Sequence, residues 1–119
     1  MFGRGMLQAY KMQQEFPTLK VVGFGGLPIP TSIVKGVQKL CPNASFIHLY
    51  GMTETAGPVL YHLYDGAEDF DCSTPPVSMC YPGTEYMLGE GNEVLLKTPS
   101  MTSGYHGNEK ATSELIQDG

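Results

Sequence analysis

The sequence has little positive charge: seven Lys and Arg stand against twelve Asp and Glu, a net charge of -5. That balance leaves no basic face for nucleic acid, so no nucleic-acid partner is expected. Nucleotide phosphates stay admissible, because a few backbone amides and one bound cation hold them locally. Long apolar runs are missing too, and no stretch approaches the roughly 20 residues a membrane-spanning helix needs. The start, Met1-Phe2-Gly3-Arg4-Gly5, lacks the apolar core of a secretory signal. Secretion is therefore not expected; the location is expected to be intracellular, cytoplasmic or peroxisomal, with the choice between these not readable from the residues. The three cysteines, Cys41, Cys72 and Cys80, lack the paired spacing of a zinc site. They read as packed or partly exposed thiols in a reducing compartment.

What is present is an ordered alternation of elements. Residues 4–16 read as a helix, ended by Pro17. Leu19-Lys20-Val21-Val22-Gly23-Phe24 reads as a short buried strand closed by Gly25-Gly26. Thr31 or Ser32 is the expected cap of a second helix, with Ile33, Val34, Val37 and Leu40 as its apolar stripe. Pro42-Asn43 stops that helix, and Ser45-Phe46-Ile47-His48-Leu49-Tyr50 forms the next strand. Strand, helix and strand within about thirty residues is the βαβ pattern of a parallel sheet, whose ligands bind beyond the carboxyl ends of the strands. Both glycine-bearing turns, Gly25-Gly26 and Gly51, fall at such ends.

Residues 67–76 change character, with acidic and small residues followed by Pro75-Pro76, and read as a linker. Beyond them, residues 84–88 and 93–97 alternate around Gly89-Glu90-Gly91-Asn92, which is a hairpin signature. A short helix is expected from Asn108 to Ile116. The expected fold class is α/β: a fragment of a parallel-sheet α/β subdomain over residues 1–74, then part of a small, β-rich, barrel-like subdomain over residues 75–119, ending in the short helix.

Two turns carry chemistry. Gly25-Gly26-Leu27-Pro28 joins a strand to a helix, where glycine lets backbone approach a ligand and proline stiffens the exit. It is not a Walker loop, because no Gly-Lys-Ser/Thr follows. In Tyr50-Gly51-Met52-Thr53-Glu54 the ring offers a face for a base and the Thr53 hydroxyl a donor for phosphate. Glu54 offers a hard oxygen ligand suited to magnesium. Read singly, each of these residues is also compatible with an ordinary turn.

In this order and spacing the two turns resemble the adenylate-forming superfamily of acyl-CoA synthetases, adenylation domains and beetle luciferases. Gly104-Tyr105, followed by Asn108, Ala111 and Thr112, resembles a third tract of the same family. The run from Tyr50 is most similar to the branch of 4-coumarate–CoA ligases and luciferase-like synthetases. Here Thr55-Ala56-Gly57-Pro58-Val59-Leu60 makes that run one residue longer. By this resemblance Gly25, Gly26, Leu27, Pro28, His48, Leu49, Tyr50, Gly51 and Met52 would line the nucleotide pocket. Thr53 would touch the AMP phosphate, and Glu54 would hold magnesium as the second catalytic residue. Gly57, Pro58 and Val59 would wall the acyl pocket. His48 stands where the family often has Gln, and a histidine just before a buried turn is more often a hydrogen-bonded structural residue than a general base.

The resemblance implies ATP, Mg2+ and CoA as cofactor and co-substrates, with a small carboxylic acid as substrate. It also implies missing parts: the earlier phosphate loop with its lysine, the ribose-binding aspartate and the C-terminal lysine. Ser78 replaces the glycine usual after Val77. The expectation is therefore an internal piece of a larger ligase, inactive alone and needing the rest of the parent enzyme. The alternatives are a non-catalytic interaction module of the same fold, a peptide-synthetase adenylation domain or a luciferase-type enzyme.

Overall fold

The computed structural model describes residues 15–65 and 73–116. Strand β1 (Val21–Gly25) is followed by helix α1 (Thr31–Leu40) and strand β2 (Ser45–Met52). A single 3-10 turn, Thr53–Thr55, then leads into β3 (Gly57–Asp65). After residue 73 come β4 (Met79–Cys80), the hairpin strands β5 (Glu85–Leu88) and β6 (Val94–Lys97), and helix α2 (Glu109–Leu115).

β1 and β2 pair in parallel, Val21 opposite Ser45 through Gly25 opposite Leu49, as their βαβ spacing requires. β3 then folds back antiparallel on β2, and β4 adds antiparallel to β3, giving a four-stranded sheet in the order β1-β2-β3-β4. The sheet is therefore mixed, and its last strand comes from beyond Pro76. β5 and β6 form the expected hairpin as a separate two-stranded sheet. No barrel closes among the described residues.

One face of the large sheet is covered by α1. Strand alternation puts Val22, Phe46 and Tyr64 on that face, and they pack with Val34, Val37, Leu40, Cys41 and Ala44. The Phe46 ring lies between Phe24, at a centroid distance of 6.1 Å, and Tyr64, at 5.8 Å. This aromatic row crosses three strands and fixes their register on one side. Burial pushes the Cys41 thiol pKa up. Cys80 is partly exposed, and Cys72 lies outside the described residues.

Four expectations need correction or limits. The helix cap is Pro30, not Thr31 or Ser32, and no side chain caps the helix. The Ile33 and Val34 amides bond to the Pro30 carbonyl, while the Thr31 amide donates to Ser73 at 2.9 Å. Ile33 is exposed, because the buried stripe runs through Thr31, Val34, Val37, Gln38 and Leu40, one position out of phase with it. The helix expected over residues 4–16 falls outside the described residues except for its last two. Of these, Phe16 donates its amide to Leu40. Of the expected linker, residues 67–72 lie outside the described residues. Ser73 and Pro76 are tied down by α1 and by His48 respectively. No helix among the described residues is long and apolar enough to cross a membrane.

The β2–β3 turn depends on one close approach. The register slips at Tyr50/Gly51, and a Cβ on Gly51 would stand 2.1 Å from the Gly57 carbonyl oxygen. Gly51→Ala is accordingly expected to cost about 1–3 kcal/mol through overpacking. Phe46→Ala, which empties the centre of the aromatic row, is expected to cost about 3–5 kcal/mol. Urea unfolding of the two variants measures both. A Gly51→Ala midpoint equal to that of the parent would show that the turn tolerates a side chain.

Candidate functional site

The parallel register brings the two candidate turns together. Gly25 is opposite Leu49, so the Gly25–Pro28 turn leaves β1 at the same sheet end where Tyr50–Glu54 leaves β2. Gly26 has φ +84°, the left-handed region that glycine enters without strain. A Cβ on Gly25 would stand 3.0 Å from the Leu49 carbonyl oxygen, so the two backbones are in close contact there. Leu27 and Pro28 are exposed above this junction, Leu27 by 80%. Tyr50, Gly51 and Met52 are half-buried and Thr53 is exposed at the tip.

The tip is held by Thr55. Its side chain is buried, and its hydroxyl accepts from the Met52 amide at 3.1 Å. The same oxygen lies within donating distance of the Met52 and Gly57 carbonyls, at 3.0 and 2.8 Å. One hydroxyl thus ties together both strands of the turn, and Thr53 and Glu54 project from it. Ala56, at φ +55°, completes the reversal.

His48 is buried on the helix-covered face, with Nδ1 3.3 Å from the Pro76 carbonyl. Leu49, next along the strand, points to the opposite face. Of the residues considered for the acyl pocket, Gly57 and Pro58 pair with Met52 and Gly51, Pro58 is exposed, and Val59 is buried. His62 and Ser78 make a side-chain hydrogen bond of 2.7 Å.

A second group of residues reaches the same turn from far along the chain. The Thr102 amide donates to the Glu54 carbonyl at 2.7 Å, and the Ser100 hydroxyl donates to the Thr55 carbonyl at 2.8 Å. The Tyr105 hydroxyl donates to Glu54 Oε1. Sequence reasoning singled out Gly104-Tyr105 and Thr112 as a tract but did not connect them to Glu54. Their local geometry is now clear. Gly104, at φ +143°, packs on Thr112, where a Cβ would stand 2.5 Å from Cγ2. Thr112 Oγ1 accepts from the Tyr105 amide at 2.9 Å. The Asn108 side chain caps α2 through the Ala111 amide. An open depression lined by Tyr105, His106, Thr112 and Ile116 lies beside this tract.

No group of three His, Cys, Asp or Glu side chains capable of holding a metal occurs among the described residues. Glu54 therefore belongs to no such group. The Tyr105 hydroxyl holds its pKa below the ordinary glutamate value, and the same bond raises that of Tyr105. The stabilisation from Glu54 is present above its unfolded-state pKa and is lost as pH falls through its lowered folded value. For Tyr105 the sense reverses: stabilisation is present below the ordinary phenol pKa and is lost as pH rises through the raised value. In an alkaline absorbance titration, the Tyr105 ionisation should therefore move to lower pH in Glu54→Gln. A titration unchanged by the substitution would contradict the contact.

Comparison with known proteins bears on the whole stretch. A family model described as AMP-binding enzyme matches residues 2–106. An acyl-CoA ligase, lcsD, of Purpureocillium lilacinum is 32% identical over 116 residues, covering 88% of this chain and 29% of the relative. The 4-coumarate–CoA ligase-like 3 protein of Arabidopsis thaliana is 29% identical over 114 residues, covering 89% of this chain and 21% of its own length. The fold is also that of the Vibrio cholerae adenylation domain AlmE, solved in complex with glycyl-adenosine-5'-phosphate. There the TM-score is 0.72 at 18% identity, covering 96% of this chain and 25% of that one. This chain therefore spans under a third of the length of these relatives. With most of its length matched in order, the chain belongs to the AMP-binding enzyme family, the adenylate-forming superfamily.

Proposed function

We propose that this chain is the nucleotide-receiving part of a longer ATP-dependent acyl-CoA synthetase. The observation that carries the reading is the meeting of the Gly25–Pro28 and Tyr50–Glu54 turns at the carboxyl ends of two parallel strands. Gly25, Gly26, Leu27 and Pro28 form one wall for the adenine, and the Tyr50 ring gives the stacking face on the other. Gly51 and Met52 continue the lining from β2; with His48 buried on the helix-covered face and Leu49 on the other, only one of these two side chains can join it. The turns lie in the portion expected over residues 1–74, and Ser100, Thr102 and Tyr105 of the portion over residues 75–119 brace the second of them.

The reaction has two steps. A carboxylate oxygen of the acid attacks the α-phosphorus of ATP, an O–P bond forms, and the bond to pyrophosphate breaks. The CoA thiol then attacks the acyl carbon of the adenylate and releases AMP. The Thr53 hydroxyl, exposed at the tip of the turn, donates to a phosphate oxygen and orients it. Gly57 and Pro58 stand at the acyl side of the same turn, with Val59 behind them.

Glu54 fits magnesium as a donor. Mg2+ keeps several waters and is held through one or two carboxylates plus substrate phosphates, so a single glutamate beside a phosphate-binding hydroxyl is a sufficient protein contribution. When bound there, the ion neutralises charge on the phosphates. The lysines of the reaction come from other parts of the parent enzyme.

Glu54→Gln in the complete protein is expected to lower acid-dependent ATP–pyrophosphate exchange roughly a hundredfold, the scale seen when one positioned group for developing charge is removed. The melting temperature should change little, since Glu54 sits on the surface turn. An unchanged exchange rate would remove Glu54 from the chemistry. Exchange that proceeds without any transfer to CoA would instead assign the parent to another adenylating class.

A further inference from the structure

We propose that Tyr105 is a positioning residue for Glu54: its phenol holds one carboxylate oxygen, leaving the other for a divalent cation that enters with the nucleotide. The inference rests on the reading of Glu54 as a cation ligand and adds the residue that orients it.

Three contacts from residues 100–105 converge on the tip of the turn. Two engage backbone, Ser100 Oγ on the Thr55 carbonyl and the Thr102 amide on the Glu54 carbonyl, and they fix where the Glu54 Cα lies. The third, Tyr105 OH on Glu54 Oε1, fixes where its carboxylate lies. Besides the Tyr105 phenol only the residue's own backbone amide approaches this carboxylate, and among the described residues no Lys or Arg pairs with it. A carboxylate oxygen pair accepts about four bonds, so these neutral donors leave capacity for a metal ion. The identity of the partner matters. A guanidinium or ammonium would neutralise the charge that attracts the cation, whereas a phenol orients the group and leaves that charge in place.

Tyr105 is itself anchored. Thr112 Oγ1 accepts its amide at 2.9 Å and donates at 2.9 Å to the Asn108 carbonyl. Gly104 allows the close approach to Thr112 that this needs. The Gly104-Tyr105 to Ala111-Thr112 tract thus acts on the site at a distance of 51 residues in sequence. Its α2 end supplies no ligand; it holds the ring that holds the carboxylate.

The test measures Mn2+ in place of Mg2+, by electron paramagnetic resonance, with a non-hydrolysable ATP analogue and the complete protein. Tyr105→Phe is expected to raise the Mn2+ dissociation constant about tenfold, the lower end of the range for losing a group that orients a metal ligand. Glu54→Gln should raise it at least as much, and the double variant should be no worse than Glu54→Gln alone. Thermal melting accompanies each measurement, because a merely structural tyrosine would lower the midpoint and leave the dissociation constant alone. Thr112→Val keeps the phenol but removes its anchor. It should give a smaller rise in the same direction, and it serves as the test if Tyr105→Phe does not fold. An unchanged constant in Tyr105→Phe beside a raised one in Glu54→Gln overturns the proposal and leaves the cation reading standing. No change in Glu54→Gln overturns both.

Discussion

The turn between β2 and β3 rests on the approach of Gly51 to the Gly57 carbonyl. Any side chain at Gly51 would occupy the space of that carbonyl, so only glycine allows β3 to fold back so soon after Tyr50. The bulge turns the end of β2 away from regular pairing and lifts Thr53 and Glu54 clear of the sheet. Thr55 then satisfies the backbone groups that the tight reversal would leave unpaired, using one buried hydroxyl for contacts to both strands. A rigid sheet end, a displayed carboxylate and an adjacent hydroxyl follow from this single constraint.

Stability and function occupy different parts of the same strands. The aromatic row of Phe24, Phe46 and Tyr64, with Val34, Val37 and Leu40 of α1 above it, holds the sheet near its middle. The exposed turns lie beyond it, at the end where loops are free to carry polar groups. Residues 100–105 reach that end from beyond the hairpin, so the turn is gripped from inside by Thr55 and from outside by Ser100, Thr102 and Tyr105.

Much of this was legible in local pattern. β1, α1 and β2 follow from β-branched runs and punctuation by glycine and proline, and the hairpin follows from alternation around Gly89–Asn92. β3 was not read, because Gly57-Pro58 suggested a pocket wall and the succeeding alternation of Val59 to Tyr64 was weak. The cap at Pro30 escaped because its partner for the Thr31 amide is the carbonyl of Ser73, a contact made only in the folded chain. At the site, the two turns could be placed together because parallel strands put their carboxyl ends side by side. The Tyr105–Glu54 bond had no such route. It depends on how residues 98–112 fold against the Tyr50–Glu54 turn, and no spacing within either tract encodes that distance.

The central claim is that the turns at the ends of β1 and β2 receive a nucleotide with its cation. A crystal structure of the complete protein with a non-hydrolysable ATP analogue and Mg2+ tests it most directly. The account predicts the adenine between Tyr50 and the Gly25–Pro28 turn, with a Glu54 oxygen at about 2.1 Å from the ion. An adenine bound elsewhere, or an ion whose ligands exclude Glu54, would contradict it.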